Sequence, residues 1–287
     1  MQVRPEFQLI DFGDGARLER FGERSVDRPH AGALGARREA EAWLGADLRF
    51  DRDHGWTGPA ATTGSWPIEL DGLLMELRPT DAGQLGVFPE HLAMLPWLKR
   101  RVTELAAASG GTEPQAPAVL HLFAYTGLVT LAMAAAGAAV THVDSARPTV
   151  AWARRNAERS RLDGRPIRWI VDDALGFTQR EARRGRRYAG LVLDPPTYGH
   201  GPAGRPWRIE DDLRTILGAG ARVLEPGGFV LLTAHTPGFD SDRLAADLAG
   251  ALSRPVGAFE RGELALSTDD GRRLELGSFA RWPAGAS

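Results

Sequence analysis

The chain has 287 residues, 43% hydrophobic and 25% charged, with 35 basic against 37 acidic side chains and a net charge of −2. This is the composition of an ordinary globular protein with room for one large and one smaller domain, and it gives no global case for nucleic-acid binding. The absence of cysteine excludes disulfides, thiolate zinc sites, iron–sulfur clusters and every mechanism that needs a cysteine nucleophile.

Residues 1–85 show no alternation of strands and helices. FQLIDFGDGARLERFG (7–22) predicts two strands around a Gly-Asp-Gly turn. WPIELDGLLMELRPT (66–80) predicts a hairpin at Asp71-Gly72, a dipeptide favoured in tight two-residue turns. Between them, 34–48 is expected to form a short helix, and 54–65, rich in Gly, Thr and Pro, a loop. The segment reads as a small β-rich N-terminal domain, serving either as a structural appendage or in substrate recognition. A connection over 86–117 follows: the turn GQLGVFP, an amphipathic helix over 90–109 with Leu92, Leu95, Leu98, Val102 and Leu105 on one face, and the linker GGTEPQAP.

The third region, 118–287, is organised around four apolar runs that end in turn chemistry: VLHLFAYTG (119–127), AAVTHVDS (138–145), IRWIVDDA (167–174) and LVLDPPTYGHG (191–201). Helices are predicted between them over 126–136, 148–159 and 175–184. The resulting βαβ rhythm implies an α/β fold with a doubly wound, mostly parallel sheet. A Gly/Pro loop (199–206), a helix (210–224) stopped by EPGG, a fifth strand in FVLLTAHTP and a helix (241–253) come next. Two final runs, 256–266 and 272–282, flank Asp269-Asp270-Gly271 and predict a hairpin that adds an antiparallel strand. No run of about 18 uncharged apolar residues occurs and the N-terminus has no apolar signal core, so a cytoplasmic location without a membrane segment is expected.

In such sheets ligands bind beyond the carboxyl ends of the strands, where the chain's acidic residues fall. The first turn, Phe123-Ala124-Tyr125-Thr126-Gly127, offers backbone amides at a helix start, and Gly127 permits close approach of a ligand. It lacks the G-x-G-x-x-G of a dinucleotide site, which disfavours a nicotinamide-dependent oxidoreductase. Asp144, with Ser145, ends the second strand, where a carboxylate can accept from both hydroxyls of a ribose; the alternative is a cap on the next helix. Asp172-Asp173 ends the third strand; Asp173, directly before Ala174, can accept from an adenine amino group or cap its helix. The sharpest signal is Asp194-Pro195-Pro196-Thr197-Tyr198. An Asp carboxylate and the Pro195 carbonyl make two acceptors that can hold an amino group, and Tyr198 can stack on a planar substrate. Such a clamp works by positioning and charge stabilisation.

The ordered set LFAYTG, Asp144, Asp-Asp-Ala and DPPTY resembles the class I S-adenosylmethionine-dependent methyltransferases, in particular the bacterial large-subunit rRNA methyltransferase group. GVFPEH (86–91) and QRE (179–181) are also similar to that group, over roughly 86–282. The resemblance implies a seven-stranded sheet with its last strand antiparallel and S-adenosylmethionine as cofactor. It assigns Phe123, Tyr125, Thr126 and Gly127 to the methionine part, Asp144 and Ser145 to the ribose, Asp173 and Ala174 to the adenine, and Asp194 to the cofactor's edge as well as, with Pro195 and Tyr198, to the methyl acceptor. The chain departs from the group at His121, where many relatives carry an acidic or amide residue. It also lacks the cysteine used to methylate carbon 5 of cytosine, which favours transfer to an exocyclic nitrogen.

The expectation is therefore a methyltransferase acting on an amino nitrogen of an RNA base, with rRNA as partner and no metal. A protein amide or small planar metabolite as acceptor, or a non-catalytic RNA-binding module, are the alternatives. His200 and His235 lie in loops at the same end, as candidates for gating or proton removal or as plain surface residues. Two arginine groups (154, 155, 159, 161 and 180, 183, 184, 186, 187) read as solvated helix faces or as a phosphate-binding face. The 199–207 segment reads as a lid or a plain loop.

Overall fold

The computed structural model describes residues 6–108, 115–200 and 206–282. They divide into two compact units, the first comprising Met1–Leu92 with Ala265–Leu276 and the second Ala93–Leu264 with Gly277–Ser287.

The first unit carries a five-stranded sheet, β1 (Phe7–Gly13), β2 (Ala16–Phe21), β3 (Arg24–Pro29), β4 (Leu48–Asp51) and β5 (Gly55–Thr57), in that spatial order. A helix of one turn, α1 (Ala40–Leu44), lies between β3 and β4, and β6 (Trp66–Leu70) pairs with β7 (Leu73–Leu77). The Asp71-Gly72 turn forms as expected, both residues at positive φ (55° and 78°), the backbone that matches the twist of a hairpin. Two local readings change. The expected helix over 34–48 shrinks to α1, because the buried Asp11 carboxylate accepts from the N–H groups of Arg38 and Glu39 and so fixes the chain in a turn ahead of it. The expected loop over 54–65 contains β5, held on β4 where Trp56 packs on Phe50 and donates to the Thr80 carbonyl at 2.7 Å.

A 3-10 turn at Pro89–Met94 precedes α2 (Leu95–Ala108). Proline lacks an N–H and clashes with the carbonyl one turn back, so Pro96 is admitted only in the first turn; this moves the helix start from the expected 90 to 95. The second unit then follows as β8 (Ala118–Leu122), α3 (Leu128–Ala135), β9 (Ala139–Asp144), α4 (Arg147–Arg159), β10 (Ile167–Val171), α5 (Ala174–Arg183) and β11 (Tyr188–Leu193). A two-stranded ribbon, β12 (Tyr198–His200) with β13 (Pro206–Arg208), leads to α6 (Ile209–Val223), β14 (Leu224–Ala234), α7 (Ser241–Leu252), β15 (Glu260–Ser267) and β16 (Arg273–Trp282).

The main sheet has seven strands in the order β10-β9-β8-β11-β14-β16-β15. The first five are parallel and β16 runs antiparallel to β14. The chain steps outward from β8 to β10 and then returns to the other side of β8, so the winding reverses between β8 and β11, the place where open α/β sheets bind ligands. Register brings Val143, Leu122 and Leu193 into one row across β9, β8 and β11. The residues immediately beyond, Asp144, Phe123 and Asp194, therefore leave the sheet side by side, with neighbouring strands ~4.8 Å apart. Leu120, Leu122, Val143, Leu191, Leu193, Val230 and Leu232 form the core beneath this edge.

Candidate active site

The turn after β8 is strained and tightly held. Phe123 and Tyr125 sit at φ of 56° and 49°, a region costly for side-chain-bearing residues, and Gly127 follows at 94°. The Ala124 N–H donates to the Val143 carbonyl at 3.1 Å and the Tyr125 N–H to Asp144 Oδ2 at 2.9 Å. From α4 the fully buried Asn156 donates to the Thr126 carbonyl at 2.9 Å. Gly127 serves both its left-handed backbone and packing: a Cβ there would sit 3.2 Å from that of Ala153 on α4. Beneath the turn the Thr130 hydroxyl bridges His121 Nδ1 at 2.7 Å and His142 Nδ1 at 2.9 Å. Burial holds the His142 imidazole well below the usual histidine range, so it is neutral.

Asp144 is half-buried and its carboxylate is spanned by two backbone donors, Ala146 through Oδ1 at 2.9 Å and Tyr125 through Oδ2. Burial pushes the carboxyl above its ordinary value, against the opposing pull of those N–H groups. The helix-cap alternative does not describe it: Ala146 is the N-cap of α4, and no side chain caps that end. Ser145 is exposed beside it. At the third strand end capping does occur, since Asp173 Oδ1 accepts from the Gly176 N–H at 2.6 Å, with Ala174 buried as the first helical residue. Asp172 forms an ion pair with Arg180, so of the two neighbours only Asp172 has its charge matched by an arginine. Cap formation occupies one oxygen of Asp173.

At the end of β11, Asp194 Oδ1 accepts from the Thr233 hydroxyl at 2.6 Å and lies 3.4 Å from His235 Nε2, both groups at the end of β14 or just beyond it. Pro195 is buried, and the Pro196 carbonyl accepts from Trp207 Nε1 at 2.7 Å. Thr197 and Thr236 share a hydrogen bond of 2.7 Å. Tyr198 is 65% exposed, with the Arg208 guanidinium over its ring at 5.8 Å from the centre. Trp207 also packs on Phe123, ring centres 4.8 Å apart, and thereby braces the β8 turn and the β11 turn together. Residues 201–205 and the His200 side chain, in the expected lid, lie outside the described residues.

Three contributors were not singled out from the sequence: Asn156, Trp207 and Thr233. Asn156 carried a signal, as an amide on the buried face of α4 among Trp152, Ala153 and Ala157. Thr233 carried one too, as the hydroxyl in the apolar run FVLLTA. Trp207 carried none, because its two partners are set only by the folded ribbon. Part of the second arginine group has internal partners: Arg180 pairs with Asp172, Arg184 with Glu181 at 3.0 Å, and Arg187 donates to the carbonyls of Arg222 and Leu224.

The strand order, the antiparallel β16 and the winding reversal at β8 and β11 define the class I methyltransferase fold. No protein-family model matches the chain. Among solved structures, the SAM-dependent methyltransferase from Agrobacterium tumefaciens is 36% identical and superposes with a TM-score of 0.87 over 99% of this chain and 92% of that one. A Streptococcus mutans protein, 16% identical with a TM-score of 0.71 over 96% of this chain and 74% of that one, shares the fold. The chain belongs to the S-adenosylmethionine-dependent methyltransferases, and S-adenosylmethionine is its cofactor. Among curated sequences, the ribosomal RNA large subunit methyltransferase K/L of Magnetococcus marinus is 31% identical over 187 residues, which is 64% of this chain and 23% of that protein. That of Methylococcus capsulatus is 35% identical over 139 residues, 48% and 19% of the respective lengths. The chain thus spans about a quarter or less of these relatives.

Proposed function

We propose that the chain methylates an exocyclic amino nitrogen of a large-subunit rRNA base by direct transfer. The observation that carries this reading is the register at the winding reversal, where the Phe123–Gly127 turn and Asp194 leave adjacent strands at the same level. The resemblance of about two thirds of the chain to rRNA methyltransferases supports RNA as the acceptor.

The donor set fits the cofactor. Asp144, pushed up by burial and met by two N–H groups among the described residues, is suited to a vicinal diol, whose two hydroxyls would complete it. Ser145 adds an exposed hydroxyl beside it. Asp173 and Ala174 would border the adenine, and Phe123, Tyr125, Thr126 and Gly127 the methionine part. Bound there, S-adenosylmethionine supplies an electrophilic methyl group. On the acceptor side the Asp194 carboxylate and the Pro195 carbonyl accept from the two amino hydrogens and point the nitrogen lone pair at the methyl carbon, while Tyr198 stacks on the base. Methylation of the amine would leave a surplus proton on nitrogen, and the Asp194 carboxylate is the group placed to accept it. This chemistry needs no thiolate, in keeping with a chain that has no cysteine.

The test is Asp194→Ala. Cofactor affinity by calorimetry is expected to survive while methyl transfer to rRNA from cells lacking the gene falls at least about tenfold. Equal transfer by both proteins would remove the clamp. Identical rRNA nucleoside profiles from cells with and without the gene would remove the acceptor.

A further inference from the structure

We infer that Thr233 is the positioning residue of the acceptor turn: its hydroxyl, donating to Asp194 Oδ1 from the neighbouring strand, fixes the carboxylate in the orientation that receives the amine. This rests on the clamp reading of Asp194.

The placement follows from register. Leu193 on β11 pairs with Leu232 on β14, so Asp194 and Thr233 are the next residues across the same gap. Thr233 is 3% exposed, and its hydroxyl lies 2.6 Å from Asp194 Oδ1 and 3.3 Å from the Leu193 carbonyl. A hydroxyl in an otherwise apolar strand is costly unless it is bonded, and valine would fill the same space. A β-branched side chain on a sheet has a stiff first torsion, so the donor cannot drift. The bond to a carboxylate is charge-assisted and short. His235, from the loop after β14, lies 3.4 Å from the same oxygen, a longer contact. Thr233 acts through Asp194.

The experiment compares Thr233→Val, Thr233→Ala, Thr233→Ser, Asp194→Ala and the double variant Thr233→Val/Asp194→Ala. Three readouts are taken: single-turnover methyl transfer from radiolabelled S-adenosylmethionine to rRNA from cells lacking the gene, cofactor affinity by calorimetry, and the Asp194 side-chain orientation by crystallography. Thr233→Val and Thr233→Ala are expected to slow transfer at least about tenfold with cofactor affinity within about twofold of wild type. Thr233→Ser keeps the donor and stays within about threefold. In the Asp194→Ala background the valine adds no further loss, because the acceptor of the contact it removes is already gone. In crystals the carboxylate turns in the valine and alanine variants and stays in the serine variant. A fast Thr233→Val beside a slow Asp194→Ala, an equal valine effect in both backgrounds, or an unmoved carboxylate in the valine and alanine crystals would overturn the inference. A fast Asp194→Ala would instead overturn the clamp. Should the wild type leave this rRNA unmethylated, the crystallographic comparison alone decides whether Thr233 sets the carboxylate.

Discussion

Asp11 is fully buried on β1, yet five donors converge on its carboxylate: the N–H groups of Phe12, Arg38 and Glu39, the Trp43 indole and the Arg272 guanidinium. Burial alone would raise this carboxyl; Arg272 and the other donors outweigh it and bring it down to about 2. A carboxyl depressed in the fold contributes stability that is complete above its unfolded value near 3.9 and is lost as the pH falls through the folded one. That contribution is about 2 kcal/mol at neutral pH. Asp11→Asn is therefore expected to be clearly less stable than wild type in urea at pH 7, with the gap closing between about pH 4 and pH 2. A gap independent of pH would mean the carboxylate charge is not what these donors hold. Asp11 was invisible in the sequence because its partners lie from 1 to 261 positions away and only the fold collects them. The strand-end positions of Asp144, Asp173 and Asp194 were legible for the opposite reason, each ending an apolar run at the carboxyl edge of a parallel sheet. For Asp144→Ala, loss of its charge-assisted hydrogen bonds is expected to weaken cofactor affinity by ~1–3 kcal/mol in calorimetry.

Among the elements, β11 shows how closely the sheet is packed beneath the proposed site. A Cβ at Gly190 would lie 2.3 to 2.4 Å from the ring of Phe229 on β14, and Phe229 is itself fully buried and edge-on to Trp97 at 5.6 Å. With no room for the ring to withdraw, Gly190→Ala is expected to cost about 1–3 kcal/mol in chemical denaturation, and a neutral result would show that β14 shifts freely. The strands and long helices of this unit were readable because period and turn chemistry agree along each run. The misses are places where a distant or covalent constraint overrides local pattern. Pro96 delays α2, the Asp11 carboxylate truncates the helix before β4, and Trp56 recruits β5 out of a segment that reads as loop. EPGG illustrates a subtler case: it ends α6 as expected but also lies inside β14, whose pairing with β11 slips between Tyr188 and Gly190.

For the whole molecule, the order of strands in space is what no local pattern could supply; the resemblance carried by the strand-end motifs implied seven strands with the last antiparallel, and the observed sheet has both. The assignment of the last hairpin to units goes beyond either source. Its stem stays with the second unit, whereas Ala265–Leu276 groups with the first, where Leu274 and Leu276 complete a core with Leu9, Phe12 and Ala33 and Arg272 reaches Asp11. A segment more than 200 residues downstream of the five-stranded sheet, which ends at Thr57, thus supplies part of that unit's interior, so the first unit cannot finish packing until Ala265–Leu276 has been made. Leu274 is nearly inaccessible to solvent, and truncating such a leucine costs about 2–5 kcal/mol through lost transfer energy and the cavity left behind. In the full chain, Leu274→Ala is accordingly expected to speed amide hydrogen exchange in β1, β2 and β3 while β8, β9 and β11 keep their protection. Faster exchange confined to β8 through β11, with β1 to β3 unchanged, would place the hairpin tip energetically with the second unit and contradict the division drawn from packing.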